Sequence, residues 1–258
     1  MIRRAIKIFF ALTLLFAAVF FSLPEPKGFP ILEYHNVTND TETFSLTYNV
    51  PPEEFSAQLD YLSQNGYTTI TLQDFMRAAH GKGELPEKPI VLTFDDGYEN
   101  NYTEMLPILE AHGMKAVVYV IANNIGKEGY LSFEQLRDMQ KRGIEIGSHT
   151  ADHIPLSTFD DDMVRYEIRD SKLLMEWNGL ETIYSLSYPN GDYKKSYEKI
   201  LREENYLTAV TGDAGLNNFE TNPYFLQRVH VRNPHFGILE FKWRLFKAYF
   251  FAKFKRTN

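Results

Sequence analysis

A closed α/β barrel of seven or eight strand-helix units is the fold class this sequence predicts, and three observations predict it. Short β-branched apolar runs alternate with segments of helical periodicity from residue 29 to residue 231. Such alternation builds parallel sheet, because parallel neighbours need a crossover between them. The count of units suits closure into a barrel. Finally, the residues with chemical potential stand where apolar runs stop, at Thr93-Phe94-Asp95-Asp96-Gly97-Tyr98 and Gly147-Ser148-His149-Thr150-Ala151-Asp152-His153. Barrels collect their functional groups at those carboxyl ends of strands.

Three segments are expected: a signal-anchor and linker over 1–28, the barrel over 29–240, and a basic amphipathic C-terminal helix over 241–258. Arg3, Arg4 and Lys7 precede an apolar run over 8–23, which reads as an export signal. The bulky residues before Pro24 offer no small-residue cleavage site, so a retained anchor is expected rather than a cleaved signal peptide. The protein is then extracytoplasmic, membrane-anchored or, if the segment is cut, secreted.

Within the barrel, residues 29–35 read as the first strand. Pro51-Pro52-Glu53-Glu54 opens a helix with Phe55, Leu59 and Leu62 on one face, ending at Gly66. Residues 67–71 are a short strand, 72–79 a helix, 81–89 a loop and 90–94 the strand that presents Asp95 and Asp96. Helices are expected over 102–112, 133–142, 163–177 and 197–204. Strands are expected over 116–121, 144–147, 182–188, 207–211 and 226–231. In the tail, Phe, Leu and Tyr are expected on one side of the helix and Lys or Arg on the other, so that it lies on a membrane.

The chain has 258 residues, 44% of them hydrophobic, enough for one domain with a large core. It has no cysteine, which excludes disulfides, thiolate metal sites and a cysteine nucleophile. Arg3, Arg4, Lys7 and the six Lys or Arg from Lys242 to Arg256 account for nine of its 27 basic residues and no acidic ones, leaving the chain between Lys7 and Lys242 with 18 basic against 34 acidic side chains. That balance argues against a nucleic-acid partner.

Adjacent carboxylates at a strand end repel unless a cation or proton separates them. His149 and His153 are four apart and share a face if the segment takes a helical turn. An Asp with these two histidines makes a three-ligand site with open positions for water and substrate, as catalytic metals require. The donor set suits zinc, and also iron, cobalt or nickel.

TFDDGY followed by SHTxxH resembles the polysaccharide deacetylases of carbohydrate esterase family 4. The resemblance covers about residues 29–231 and implies a distorted (β/α) barrel. By motif position it implies Asp95 as general base and Asp96, His149 and His153 as metal ligands. It also implies a backbone N–H from Asn190, in Ser187-Tyr188-Pro189-Asn190-Gly191, for the oxyanion. The family's arginine that pairs with the base is Ser187 here, a departure, and Arg228 at the end of a later strand is expected to supply the missing cation. Glu33-Tyr34-His35 is similar to the Tyr-His motif of the permuted poly-β-1,6-N-acetylglucosamine deacetylase branch, which implies His35 as general acid. His230, in phase with Arg228 on its strand, is the candidate if the ordinary motif order holds.

The expected activity is therefore metal-dependent hydrolytic deacetylation of a cell-surface polysaccharide, at N-acetylglucosamine units. Two other readings stand beside it: an O-acetyl esterase acting on xylan or another acetylated glycan, and a non-catalytic glycan-binding barrel. The absence of a Gly-x-Ser-x-Gly elbow argues against a serine esterase. Asp160-Asp161-Asp162 reads as helix capping, and His80 and His112 as residues near helix ends.

Overall fold

The computed structural model describes residues 26–40, Glu42 and 46–254, with scattered positions before them. The expected N-terminal anchor lies largely outside the described residues. Among those that are described, no helix is long and apolar enough to cross a membrane.

Seven parallel strands close the barrel. In chain order they are β1 (Ile31–Tyr34), β5 (Pro89–Phe94), β6 (Val117–Val120), β7 (Glu145–Ser148), β8 (Ser185–Ser187), β9 (Thr208–Ala214) and β10 (Leu226–His230). Each pairs with the next, and β1 closes the ring by pairing with both β5 and β10. The short β4 (Thr68–Thr69) extends the sheet at the start of β5, while β2 (Asn36–Val37) and β3 (Asn49–Val50) form a separate pair. Outside lie α1 (Pro52–Gln64), α2 (Leu72–Ala79), α3 (Leu106–Ala111), α4 (Phe133–Lys141), α5 (Asp161–Trp177), α6 (Tyr197–Glu203) and α7 (Ile238–Phe254).

Strand periodicity of two separates the layers. Leu32, Tyr34, Leu92, Phe94, Val118 and Ile146 face outward into the main core beneath the helices, whereas Ile31, Val91, Val117, Val210 and Leu226 face the barrel axis in a second cluster. Two residues further along three of these inward files stand Glu33, Thr93 and Arg228, all buried. The axis is thus apolar at the amino ends of the strands and polar toward the carboxyl ends. Gly147 is required midway, since a Cβ there would lie 2.5 Å from the Tyr119 ring.

Helix starts follow local chemistry. Thr71 with Asp74 and Ser132 with Gln135 form capping boxes, and Asp160 accepts the Met163 N–H as an N-cap. The helix expected over 102–112 begins instead as a π-turn over Asn101–Met105. Pro107 has no N–H to give the Thr103 carbonyl, so the ladder is interrupted just where the wider turn sits. The strand expected over 182–188 is shorter, Ser185–Ser187.

The C-terminal helix has a different face pattern from the one expected. Phe241 and Leu245 are buried, and Phe241 packs edge-on against Tyr61 of α1. Leu239, Trp243 and Phe246 are exposed. Two apolar faces are present instead of one, with basic side chains between them.

Candidate active site

Asp95 and Asp96 leave β5 through a backbone reversal. Asp96 has φ 74° and Gly97 φ 75°, the left-handed region that Asp tolerates and Gly adopts freely. Gly97 is also needed for space, because a Cβ would stand 2.7 Å from Val120 Cγ1. The reversal sends the two carboxylates to different partners.

Asp95 turns into the barrel and is 2% exposed. Its Oδ1 lies 2.8 Å from Arg228 Nη1, and its Oδ2 accepts from Ser187 Oγ at 3.1 Å. Arg228 is itself buried, donating from Nε to the Thr211 carbonyl at 2.9 Å and standing 2.9 Å from Glu33 Oε2 through Nη2. Burial alone disfavours the Asp95 carboxylate. The Arg228 charge and hydrogen bond, with a contribution from His149, outweigh it and hold the carboxyl well below the usual range. Glu33 behaves alike: burial opposes its ionisation, and Arg228 and His230 lower its pKa.

Asp96 faces the histidines. Its Oδ1 lies 3.6 Å from His149 Nε2 and 3.7 Å from His153 Nε2, and the two rings are 4.6 Å apart. The segment carrying them is not helical, in contrast to the helical turn considered from the spacing. Thr150 and His153 have φ 65° and 57°. These strained positions are tied down by the His153 N–H bond to Thr150 Oγ1 at 3.1 Å and by Glu167 of α5, which accepts the Asp152 N–H at 2.9 Å. A tethered irregular turn, not helix pitch, brings the rings together.

His149 Nδ1 is 2.8 Å from the Ser187 carbonyl. A carbonyl only accepts, so Nδ1 carries the proton and Nε2 presents its lone pair toward Asp96. The three donor atoms lie within 4.8 Å of one another. Separations of 3.6 and 3.7 Å from carboxylate oxygen to imidazole nitrogen fit one ion with ligand distances of about 2.0–2.2 Å. Asp96, His149 and His153 can therefore hold a divalent metal. Glu33, His35 and Asp95 form a second close group, but Arg228 already supplies its positive charge.

Two histidines stand at the rim. His230 Nδ1 is 2.8 Å from Glu33 Oε1 and its Nε2 is 2.9 Å from the Gly212 carbonyl. Both partners are acceptors, which favours the imidazolium, and the Glu33 hydrogen bond raises the pKa against partial burial. His35, just after β1, has its ring tilted against that of Tyr48 with the centroids 4.5 Å apart, and its Nδ1 is buried with no hydrogen-bond partner among the described residues. Asn190 follows β8 at the same end of the barrel, exposed and with φ 57°. His80 and His112 are elsewhere, each bonded through Nδ1 to a carbonyl one helical turn earlier.

The structure thus brings Asp95, Asp96, His149, His153, His35 and Arg228 to one end of the barrel, with Asn190 at the rim. Sequence reading assigned no role to Glu33 or Glu167. Glu33 was on the same strand face as His35, and that phase was the available signal. Glu167 carried none, since a carboxylate inside a helix reads as a solvated face.

A parallel barrel with a buried, arginine-held carboxylate beside an Asp-His-His set that could hold a metal is an arrangement suited to hydrolysis. The sequence profile of the family described as polysaccharide deacetylase matches residues 82–209. The chain is 33% identical over 207 residues to YxkH of Bacillus subtilis, a protein with polysaccharide deacetylase in its name, covering 80% of this chain and 72% of that one. It is 25% identical over 210 residues to the poly-β-1,6-N-acetyl-D-glucosamine N-deacetylase of Staphylococcus epidermidis, covering 76% and 72%. Among solved structures, the Streptococcus pyogenes deacetylase PplD in complex with acetate superposes with a TM-score of 0.76 at 25% identity, covering 87% of this chain and 99% of that one. The chain belongs to the polysaccharide deacetylase family, and is a hydrolase of carbon–nitrogen bonds other than peptide bonds.

Proposed function

We propose that the protein removes acetyl groups from N-acetylglucosamine units of a cell-surface polysaccharide, outside the cytoplasm, with one divalent ion, zinc by preference, held by Asp96, His149 and His153. The observation that carries this reading is the buried Arg228–Asp95 pair, 2.8 Å apart, beside the Asp-His-His set. A bound ion would supply Lewis acidity, polarising the acetyl carbonyl and easing deprotonation of water.

The chain's own groups do the rest. Asp95, kept ionised by Arg228, accepts the proton of the attacking water through Oδ2, the oxygen 3.8 Å from His149 Nε2. Ser187 steadies that carboxylate, and its carbonyl fixes the His149 tautomer. The Asn190 backbone N–H would meet the developing oxyanion. His35 donates to the departing nitrogen. His230 is poorly suited to do so, because both its N–H groups are engaged by Glu33 and Gly212. The named substrate of the Staphylococcus epidermidis relative supports the choice of poly-N-acetylglucosamine. No covalent intermediate is needed.

The test is acetate release from a panel of N- and O-acetylated glycans by metal-stripped protein with single metals restored. Activity on N-acetylated glucosamine oligomers that returns with zinc is expected. Release confined to O-acetylated xylan, or release unaffected by stripping, would overturn the proposal.

A further inference from the structure

Helix α7 (Ile238–Phe254) carries two apolar faces, and the barrel uses one. Phe241 and Leu245 are buried against the body. On the opposite side, Leu239, Trp243, Phe246, Phe250 and Phe254 recur at intervals of three and four and so form one continuous stripe. Their rings form a ladder, with Trp243 5.4 Å from Phe246, Phe246 5.6 Å from Phe250 and Phe250 5.2 Å from Phe254. Leu239, Trp243 and Phe246 are 68%, 56% and 48% exposed, a large apolar display for one helix.

Two further observations say what covers the stripe. Lys242, Lys247 and Lys253 flank it, and Glu240 is the one acidic residue of the helix, on a protein whose body is strongly acidic. Long basic stems beside an aromatic stripe are what an anionic lipid surface selects, since the stems cover hydrocarbon while the ammonium groups reach the headgroups. In addition, Phe20, from the apolar run near the amino terminus, stacks 5.2 Å from Phe250, and Lys253 stands 4.4 Å above its ring. The chain's most apolar segment thus meets the far end of the stripe.

We infer that the Leu239–Trp243–Phe246–Phe250–Phe254 face of α7 lies in the interface of an anionic bilayer. The helix direction then fixes how the barrel sits. Arg244 reaches the His230 carbonyl at the carboxyl end of β10, while Tyr249 lies beside Tyr67, just before β4, at the amino ends of the strands. Helix α7 therefore runs antiparallel to the strands along the barrel's flank. A bilayer on its outer face leaves the mouth of the candidate site opening along the membrane plane, toward chains that lie at the surface. The inference stands whatever reaction the site performs.

The chain contains two tryptophans, and Trp177, 79% exposed on α5, can be replaced by Phe to leave Trp243 alone. This protein is mixed with phosphatidylcholine vesicles, with and without phosphatidylglycerol, carrying brominated acyl chains. The expected result is quenching of Trp243 that is greater with phosphatidylglycerol. Lys242→Glu with Lys247→Glu should weaken partitioning into those vesicles about tenfold or more. Circular dichroism checks that each variant is folded. Vesicle-bound protein whose Trp243 is not quenched would show that the N-terminal run alone holds the membrane, and would overturn the inference. A lipid-independent dimer that buries Trp243 would overturn it equally, making the stripe a contact between copies of this chain.

Discussion

Replacing Arg228 with Met tests the electrostatic arrangement directly. The guanidinium stands 2.8 Å from Asp95 and 2.9 Å from Glu33, and all three groups are buried. Met keeps most of the volume and removes the charge, leaving two carboxylates in the barrel with no common cation. Removing one partner of a buried pair costs about 3–5 kcal/mol, and two carboxylates depend on this one, so the upper end is expected. The protein can relieve that cost by protonating Asp95, which removes the proposed base and lowers turnover near neutral pH by about 10²- to 10⁴-fold. The sign of the pH dependence follows from the lowered pKa values of Asp95 and Glu33. A depressed carboxylate contributes stability above its unfolded pKa and loses it as pH falls through the folded value. Wild-type and variant stabilities, measured by urea unfolding in chelator, should therefore be closest in strong acid and diverge as pH rises toward the unfolded carboxylate pKa of about 4, with the gap persisting to neutrality. Arg228→Lys should recover only part of the loss, since one ammonium cannot meet Thr211, Asp95 and Glu33 with a fork's geometry. Equal divergence at every pH, or wild-type turnover in Arg228→Met, would refute the reasoning.

Three other outcomes are expected. His149→Ala should cost more than the roughly 10- to 100-fold in metal affinity typical of losing a ligand's supporting partner, read by competition with a chromogenic chelator, and full metal content with full turnover would sink the site. His35→Ala should lower turnover about 10²- to 10⁴-fold with metal binding retained, while His230→Ala does much less; loss of the alkaline limb in His230→Ala alone would reassign the acid. The His230 pKa is raised mainly by its Glu33 hydrogen bond, so that pair stabilises below the unfolded pKa and is lost as pH rises through the folded one. In Glu33→Gln the His230 imidazole should titrate at lower pH by NMR, and an unmoved titration would show that the bond does not set it.

The barrel was legible because most of its strands are short apolar runs separated by segments of helical periodicity, and that signal survives in one sequence. Strands β5 and β10 fell within a residue of expectation. The failures have local causes. The π-turn over Asn101–Met105 follows from Pro107, whose missing donor acts a turn upstream. The His149–His153 turn looked helical by spacing, yet left-handed Thr150 and His153 shape it, and nothing in a β-branched residue advertises positive φ. Glu167 was invisible because its role depends on which loop packs over α5. The tail misled through composition: aromatic and basic residues suggested one apolar side, where the structure divides them into two.

The resemblance implied an arginine at the Ser187 position at the end of β8, and its arrival from β10 instead has a physical explanation in the barrel itself. Strand ends on a closed ring converge on one axis, so a cation required at Asp95 can arrive from any strand whose inward file reaches the same level. Arg228 arrives from β10, with its Nε anchored on the Thr211 carbonyl of β9. Ser187 then fills the β8 position with a hydroxyl small enough to sit beside the guanidinium, 3.2 Å from Nη2, and still donate to Asp95. Arriving from β10 also puts the guanidinium beside Glu33 on the neighbouring β1, and Glu33 passes its second oxygen to His230. This arrangement therefore binds His230 into the charge network. On the proposed mechanism that engagement makes His230 a poor proton donor, whereas His35, two residues beyond Glu33, keeps a ring nitrogen with no hydrogen-bond partner among the described residues.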